Sequence, residues 1–305
     1  MTCILIPSHE RYRGLAGFTA GQISRQWANH PPVFFCGLSG LPRENGVLLL
    51  RDRDSADWIG ILTDAVREVK KRGFKLAYLI LDDHPPMGPC RSDILNDVLP
   101  TISLSRNADI VSLFGSGQGR RSEGRVFRQG RIGLEQLPRA YLWRYSLHPG
   151  LWSLHALEKL LTKLDSGAAT MDARTPWAFE RIGARKESQS DGNAVTQCYR
   201  VASPVITASV RDQSVGALFR ALGMGARSVA GILGGPGAWT RVSQRFDFVH
   251  NYYGGPYPMV WQGVMAKGLL NKDFQQFCRY FRKTDLLDAV STLRIDEISW
   301  LQKRK

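Results

Sequence analysis

Acidic residues are in short supply in this chain. Asp plus Glu number 27 against 41 Lys plus Arg, a formal charge of +14 at neutral pH over 305 residues. Such an excess implies an anionic partner: nucleic acid, an acidic membrane surface or a phosphorylated substrate. Cysteine is scarce as well. The five (Cys3, Cys36, Cys90, Cys198 and Cys278) are scattered and odd in number, with no C-x-x-C pair and no Cys/His ligand spacing. That argues against a disulfide framework and a zinc site, and a reducing, cytoplasmic setting is expected. Long hydrophobic runs are missing too: none approaches the roughly 18 apolar residues of a membrane-spanning helix. Met1–Pro7 has neither the basic start nor the apolar length of a secretory signal, and it reads as a first core strand. The Gly-rich patterns GxGxxG and GxxxxGK[ST] do not occur, so dinucleotide-binding and P-loop readings lose their support. No internal repeat is visible. The length suits one large α/β domain, or one domain with an appendage.

What the chain does contain is one apolar run that ends abruptly in charge. Leu76-Ala-Tyr-Leu-Ile-Leu81 leads straight into Asp82, Asp83 and His84. A continuous apolar run of this length, bounded by turn signals, reads as a strand buried on both faces. Pro85, Pro86, Gly88 and Pro89 follow, so the chain must leave in a loop. In open α/β sheets ligands bind beyond the carboxyl ends of such strands. Two acids held there suit a hard divalent cation, which in turn can hold a diphosphate. The same dipeptide also suits a solvated turn, because Asp is common in turns.

Other elements alternate around this strand. Cys3–Pro7 reads as the first strand, followed by the polar turn Ser8-His-Glu-Arg11. Leu15, Phe18, Ile23 and Trp27 recur at helical spacing. Val33–Cys36 and Val47–Leu50 read as short strands. A helix is expected from Ser55 as N-cap through Trp58, Ile61, Leu62, Ala65, Val66 and Val69, with Lys70, Lys71 and Arg72 in its last turn and Gly73 beyond. Ser92–Ile102 reads as a further helix and Ile110–Phe114 as a further strand. Strands alternating with helices predict a largely parallel sheet wrapped on both faces. Beyond residue 140 the pattern changes: Tyr141–Leu147 reads as strand, Leu151–Leu164 as amphipathic helix, Val201–Val210 as strand, and Lys272–Lys305 as helix. The densest basic group, within Gly115–Arg131, reads either as a surface loop or as a lid over a phosphate-bearing substrate.

A second signal lies in Ser146-Leu-His-Pro-Gly-Leu-Trp152 and Thr175-Pro-Trp-Ala-Phe-Glu180, where apolar residues crowd one acid. Beside Trp177 and Phe179, Glu180 would lose hydration and its pKa would rise toward the range useful for proton transfer. Alternatively it lies exposed at a helix start, with Thr175 as N-cap and Pro176 at N1.

Together, Ile4–Arg11, Leu79–His84, Ser146–Trp152 and Pro176–Glu180 make the chain resemble bacterial glycosyltransferases of the nucleotide-diphosphosugar transferase (GT-A) type, those of cell-surface polysaccharide synthesis above all. The matching pieces span roughly residues 3–185. The resemblance implies a GT-A-like, mostly parallel sheet wrapped by helices, with a helical, partly irregular C-terminal region. It implies that Pro7, Ser8, His9, Arg11 and Asp82 contact the nucleotide sugar, and that Asp82 and Asp83 hold Mg²⁺ or Mn²⁺ on its diphosphate. Glu180 is implied as general base. The chain departs from the family at His84, which stands at the third acidic place and is a candidate metal ligand or an outer neighbour. It departs again at His148, where Gln is frequent; His148 would orient substrate or compete with Glu180 as base.

The expected activity is transfer of a sugar from a nucleotide-diphosphate sugar to a glycan or lipid-linked glycan, metal-dependent and inverting. The expected site of action is cytoplasmic, peripheral at the inner face of the plasma membrane, where the basic charge and aromatics such as those of Phe246–Trp261 would meet an anionic leaflet. Residues 1–200 are expected to form the catalytic domain and 201–305 an extension for acceptor or membrane-surface contacts. The alternatives are a sugar nucleotidyltransferase, for which Ser8–Gly17 is a poor Gly-rich loop, and a non-catalytic basic protein binding nucleic acid. No nucleic-acid module accompanies the charge, so no nucleic acid is expected.

Overall fold

The structure is a computed structural model that describes residues 1–38, 57–113, 126–129, 132–138, 144–165, 174–176, 178–180, 197–201, 252–253, 255–260, 263–266 and 269–293. Four short strands supply its centre: β1 (Thr2–Pro7), β2 (Val33–Cys36), β3 (Leu76–Leu79) and β4 (Ile110–Ser112). They are joined in one sheet by β5 (Val126–Gln129), β6 (Ile132–Gln136), β7 (Gly150–Ser153) and β8 (Cys198–Val201). The order of the eight strands across the sheet is β2-β1-β3-β7-β4-β8-β6-β5. β2, β1, β3, β4, β8 and β5 point one way, while β7 and β6 run against them. The expected α/β class, with a mostly parallel sheet, is the one observed.

Both faces of the sheet are buried, and the alternation of side chains along each strand sorts them. Cys3, Leu5, Phe34, Cys36, Ala77 and Leu79 pack with α2 (Trp58–Lys71) and α4 (Leu154–Asp165). Ile4, Ile6, Val33, Phe35, Leu76 and Tyr78 face α1 (Arg13–Gln26) and α3 (Leu99–Ser105), the latter entered through a π-helical turn at Ile94–Val98. The near-unbroken apolar runs of β1 and β3 are therefore a requirement of position: a polar side chain on either face would be stranded. Burial pushes the thiols of Cys3 and Cys36 up, so both are packing residues and not nucleophiles.

The C-terminal part adds a third layer over α1. Helices α5 (Lys272–Tyr280) and α6 (Thr284–Ser291) bury Phe274, Phe277, Cys278, Leu286 and Val290 against Leu15 and Met87. Two short hairpins precede them, β9 (Tyr252–Tyr253) with β10 (Met259–Val260) and β11 (Met265–Ala266) with β12 (Leu269–Leu270). Gly14 lets α1 and this layer approach closely, because a Cβ there would lie 3.3 Å from Leu293 Cδ2. Among the described residues no helix is long and apolar enough to cross a membrane.

Several local expectations need correction. Asp57 caps α2, accepting from Gly60 N–H at 2.9 Å. The expected cap Ser55 lies outside the described residues, as do the strand expected at 47–50 and most of 201–210. Leu151–Ser153 is strand instead of the start of a helix, because β7 fills the slot between β3 and β4, and α4 begins only at Leu154. Ser146 and Leu147 are not strand. Within the Gly- and Arg-rich stretch, Val126–Gln129 is an edge strand paired with β6; positions 114–125 are outside the described set. Within its described part, residues 272–293, the tail expected as one helix is two, split at Arg282, which adopts φ 53°; positions 294–305 lie outside the described residues.

Candidate active site

Parallel strands place their carboxyl ends together, and here β1 and β3 lie side by side with Leu5 level with Leu79. β7 runs the other way, so Gly150, its first residue, sits level with Leu79 on one side and Ser112 on the other. Three widely separated segments thus meet at one rim: Ser8 after β1, Asp82–His84 after β3, and Ser146–Pro149 before β7. In open α/β sheets, ligands bind beyond the rim formed by such strand ends.

Pro7 ends β1 in a buried position, and Ser8 N–H continues the sheet by donating to Cys36 carbonyl at 3.0 Å. Ser8 Oγ then donates to Asp82 Oδ2 at 2.5 Å, while Thr19 from α1 donates its hydroxyl to the Asp82 carbonyl. Burial, followed by the neighbouring Asp83 charge, pushes the Asp82 carboxyl up to about 7, against the opposing influence of the Ser8 bond. His9 uses Nδ1 to accept from Arg11 N–H at 3.1 Å, capping the short turn Glu10–Tyr12, and leaves Arg11 exposed on it.

Asp83 Oδ1 and His84 Nδ1 are 2.6 Å apart. The buried His84 ring stands edge-on to the His148 ring, with centroids 5.3 Å apart and planes at 81°. His148 Nδ1 lies 2.5 Å from Ser146 Oγ, and that hydroxyl is 3.3 Å from Glu180 Oε1. Glu180 Oε1 also accepts from Leu147 N–H at 2.7 Å. Two hydrogen-bonded groups, Asp83–His84 and His148–Ser146–Glu180, therefore meet through the edge-on contact of the two imidazole rings.

Glu180 is 7% exposed, so the buried alternative for this acid is the one found. Burial raises its pKa, opposed by the Leu147 and Ser146 bonds and by the proximity of His84. The helix start beneath it is built as expected: Thr175 Oγ1 accepts from Ala178 N–H at 3.2 Å. Phe179 turns into the core against Trp58 and Trp152, with ring centroids 5.5 and 5.8 Å away. Trp177 lies outside the described residues.

The tip of β3 offers two hard oxygen donors on consecutive residues, and their mutual repulsion is what a divalent cation relieves. Among the described residues no three His, Cys, Asp or Glu side chains converge into a complete cluster. Two carboxylates are the number of protein ligands that a Mg²⁺-type ion, completed by phosphate oxygens, commonly takes. Sequence reasoning did not single out Ser146, Thr19 or Tyr257. Ser146 had a local signal in its spacing of two from His148; Thr19 and Tyr257, whose hydroxyl donates to His84 carbonyl at 2.8 Å, are joined to the site only by folding.

No family model and no curated protein sequence matches the chain. Among solved structures, mannose-1-phosphate geranyltransferase from Thermus thermophilus aligns at 14% identity, covering 66% of this chain and 73% of that one with a TM-score of 0.33. Residues 1–349 of S. aureus TarS align at 12% identity over 69% of this chain and 65% of that one, with a TM-score of 0.36. The same TarS fragment in complex with UDP aligns at 11% identity over 67% and 63%, also at a TM-score of 0.36.

Proposed function

We propose that the chain is a glycosyltransferase that moves a sugar from a nucleotide-diphosphate sugar to a glycan or lipid-linked glycan, with inversion at the anomeric carbon. The observation that carries this reading is the meeting of two unlike acid centres at one rim. Paired aspartates stand after β3, and a single buried, hydrogen-bonded Glu180 stands at the end of the Ser146–His148 chain.

Asp82 and Asp83 would hold Mg²⁺ or Mn²⁺, with His84 as a further ligand or as the group that steers Asp83. When bound, such an ion neutralises the charge that develops on the leaving diphosphate. Pro7, Ser8, His9 and Arg11 line the nucleotide side: Ser8 ties the strand-one turn to Asp82, and Arg11 presents exposed positive charge. Glu180 accepts the proton of the acceptor hydroxyl as its oxygen forms a bond to the anomeric carbon. The bond from that carbon to the diphosphate oxygen breaks, and the nucleoside diphosphate leaves with the electron pair. Burial raises Glu180, which makes it a stronger base than a solvated carboxylate. His148 fixes the Ser146 hydroxyl and is next in line as base. The chain's surplus positive charge suits an anionic membrane surface carrying a lipid-linked acceptor.

The test is a panel of nucleotide-diphosphate sugars offered with Mn²⁺ or Mg²⁺, followed by nucleoside diphosphate release and by donor-dependent thermal shift. Stabilisation and turnover with one donor are expected. Indifference to every nucleoside diphosphate, with and without metal, would sink the proposal.

A further inference from the structure

The loop that carries the aspartates contains Pro85, Pro86 and Pro89, which have no N–H to donate. Besides His84 N–H to Leu81 carbonyl and Cys90 N–H to Gln26 carbonyl, its long-range backbone bonds are made with the far end of the chain. Residues 83–91 lie antiparallel to residues 256–260 and 263–264: Val264 N–H donates to Asp83 carbonyl at 2.8 Å, Met87 N–H to Pro258 carbonyl at 2.8 Å, and Arg91 N–H to Pro256 carbonyl at 2.9 Å. The fully buried Tyr257 adds its hydroxyl bond to His84 carbonyl at 2.8 Å.

The tightest approach is at Gly263. Its φ is +72°, a left-handed conformation that L side chains rarely adopt. A Cβ there would lie 2.6 Å from both the Asp83 carbonyl oxygen and Asp83 Oδ2, and 2.8 Å from Cγ. The carbonyl belongs to backbone already bonded to Val264, so it has no cheap way to move. Asp83 is thus bracketed, with Oδ1 against His84 Nδ1 and Oδ2 against the bare face of Gly263. The bracket is itself anchored, because Val264 and Met265 pack with Phe274, Phe277 and Cys278 onto Leu15 and Met87.

We infer that Gly263, with Val264 and Tyr257 beside it, is the positioning element that sets the orientation of the Asp83 carboxylate. The C-terminal layer is then part of the site's construction, and glycine suits position 263 twice over, by its left-handed backbone and because the acid occupies the space of a side chain. The inference rests on the proposed reading only in giving Asp83 a ligand to hold; the bracketing is a property of the chain.

The test compares Gly263→Ala with Gly17→Ala, whose added methyl meets nothing within 4 Å on the exposed side of α1. In metal-free full-length protein labelled with ¹⁵N-histidine, the His84 Nδ1 resonance is assigned by its loss in His84→Gln. Gly263→Ala is expected to move it in the same direction as Asp83→Asn does, and Gly17→Ala to leave it in place. Mn²⁺ affinity, read from the free-ion electron paramagnetic resonance signal, is expected to fall about 10–100-fold in Gly263→Ala. A folded Gly263→Ala protein with the unaltered His84 resonance overturns the inference. If Gly263→Ala does not fold, Tyr257→Phe, which removes only one hydroxyl, must move the same resonance, and an unmoved signal there overturns it equally. Should neither Asp82→Asn nor Asp83→Asn alter Mn²⁺ affinity, the donor reading fails, while the His84 resonance still decides the positioning role.

Discussion

At the tip of β3 two carboxylates stand on consecutive residues, whereas Glu180 is a lone acid held by an amide and a hydroxyl. Burial raises both Asp82 and Glu180, yet only Asp82 is raised further by a second negative charge. On the proposed reading the first arrangement would be relieved by a cation and the second by a proton. Burial acts in the same direction on both acids, and their neighbours set them apart.

The contrast is broken most severely at Asp83. Asp83→Asn is expected to abolish transfer, and chelation of divalent ions should do the same to the unaltered protein until Mn²⁺ is restored; release of nucleoside diphosphate measures both. Glu180→Gln should slow turnover by about 10²–10⁴-fold while the donor dissociation constant holds, since only the proton acceptor is lost. Unchanged turnover in that variant would move the base to His148.

Stability separates the two acids next. A carboxyl raised in the folded state favours folding while protonated and loses that contribution as pH climbs through its folded value. For Asp82, raised to about 7, the loss falls between pH 4 and pH 8. It is at most about 4 kcal/mol, because Asp82 keeps part of its exposure to water. Denaturant midpoints should drop over that interval, and Asp82→Asn or saturating Mn²⁺ should flatten the profile. A profile already flat without metal would remove the repulsion from the account. The smallest effect is expected at Ser146→Ala, a loss of about tenfold. Deleting a hydroxyl that holds the Glu180 pKa down raises it, so the acid limb of kcat/KM should move to higher pH. A limb that stays put would show the Ser146–Glu180 contact to be idle.

Elements whose signal is local were legible before the structure. Leu76–Leu79, followed by Asp82 and Asp83, is strand then acid, because an apolar run ended by prolines has few other solutions. The helix over Trp58–Lys71 follows from its apolar spacing and from Gly73, which takes φ +85° beyond its end. Leu151–Ser153 reads as the start of a helix because so short a stretch shows no period of its own; its strand character comes from the gap β7 fills between β3 and β4. The hairpin of β5 and β6 was likewise hidden, its first strand lying in a Gly- and Arg-rich stretch that reads as loop. At the site, the acids themselves were legible, while the exposure of Glu180 was open. Thr175 caps the helix start as expected, yet the acid at its end is buried, since Leu147 and Ser146 come across to meet it.

Composition and periodicity, which depend only on near neighbours along the chain, determined that this is a basic α/β protein with two acids at the end of a buried strand. Tertiary structure decided which side chains meet there. Ser8 reaches Asp82 across 74 positions, Ser146 reaches Glu180 across 34, and Tyr257 reaches His84 across 173. Contacts at such separations leave no periodic trace, because each depends on where the sheet order and the C-terminal layer bring the backbone.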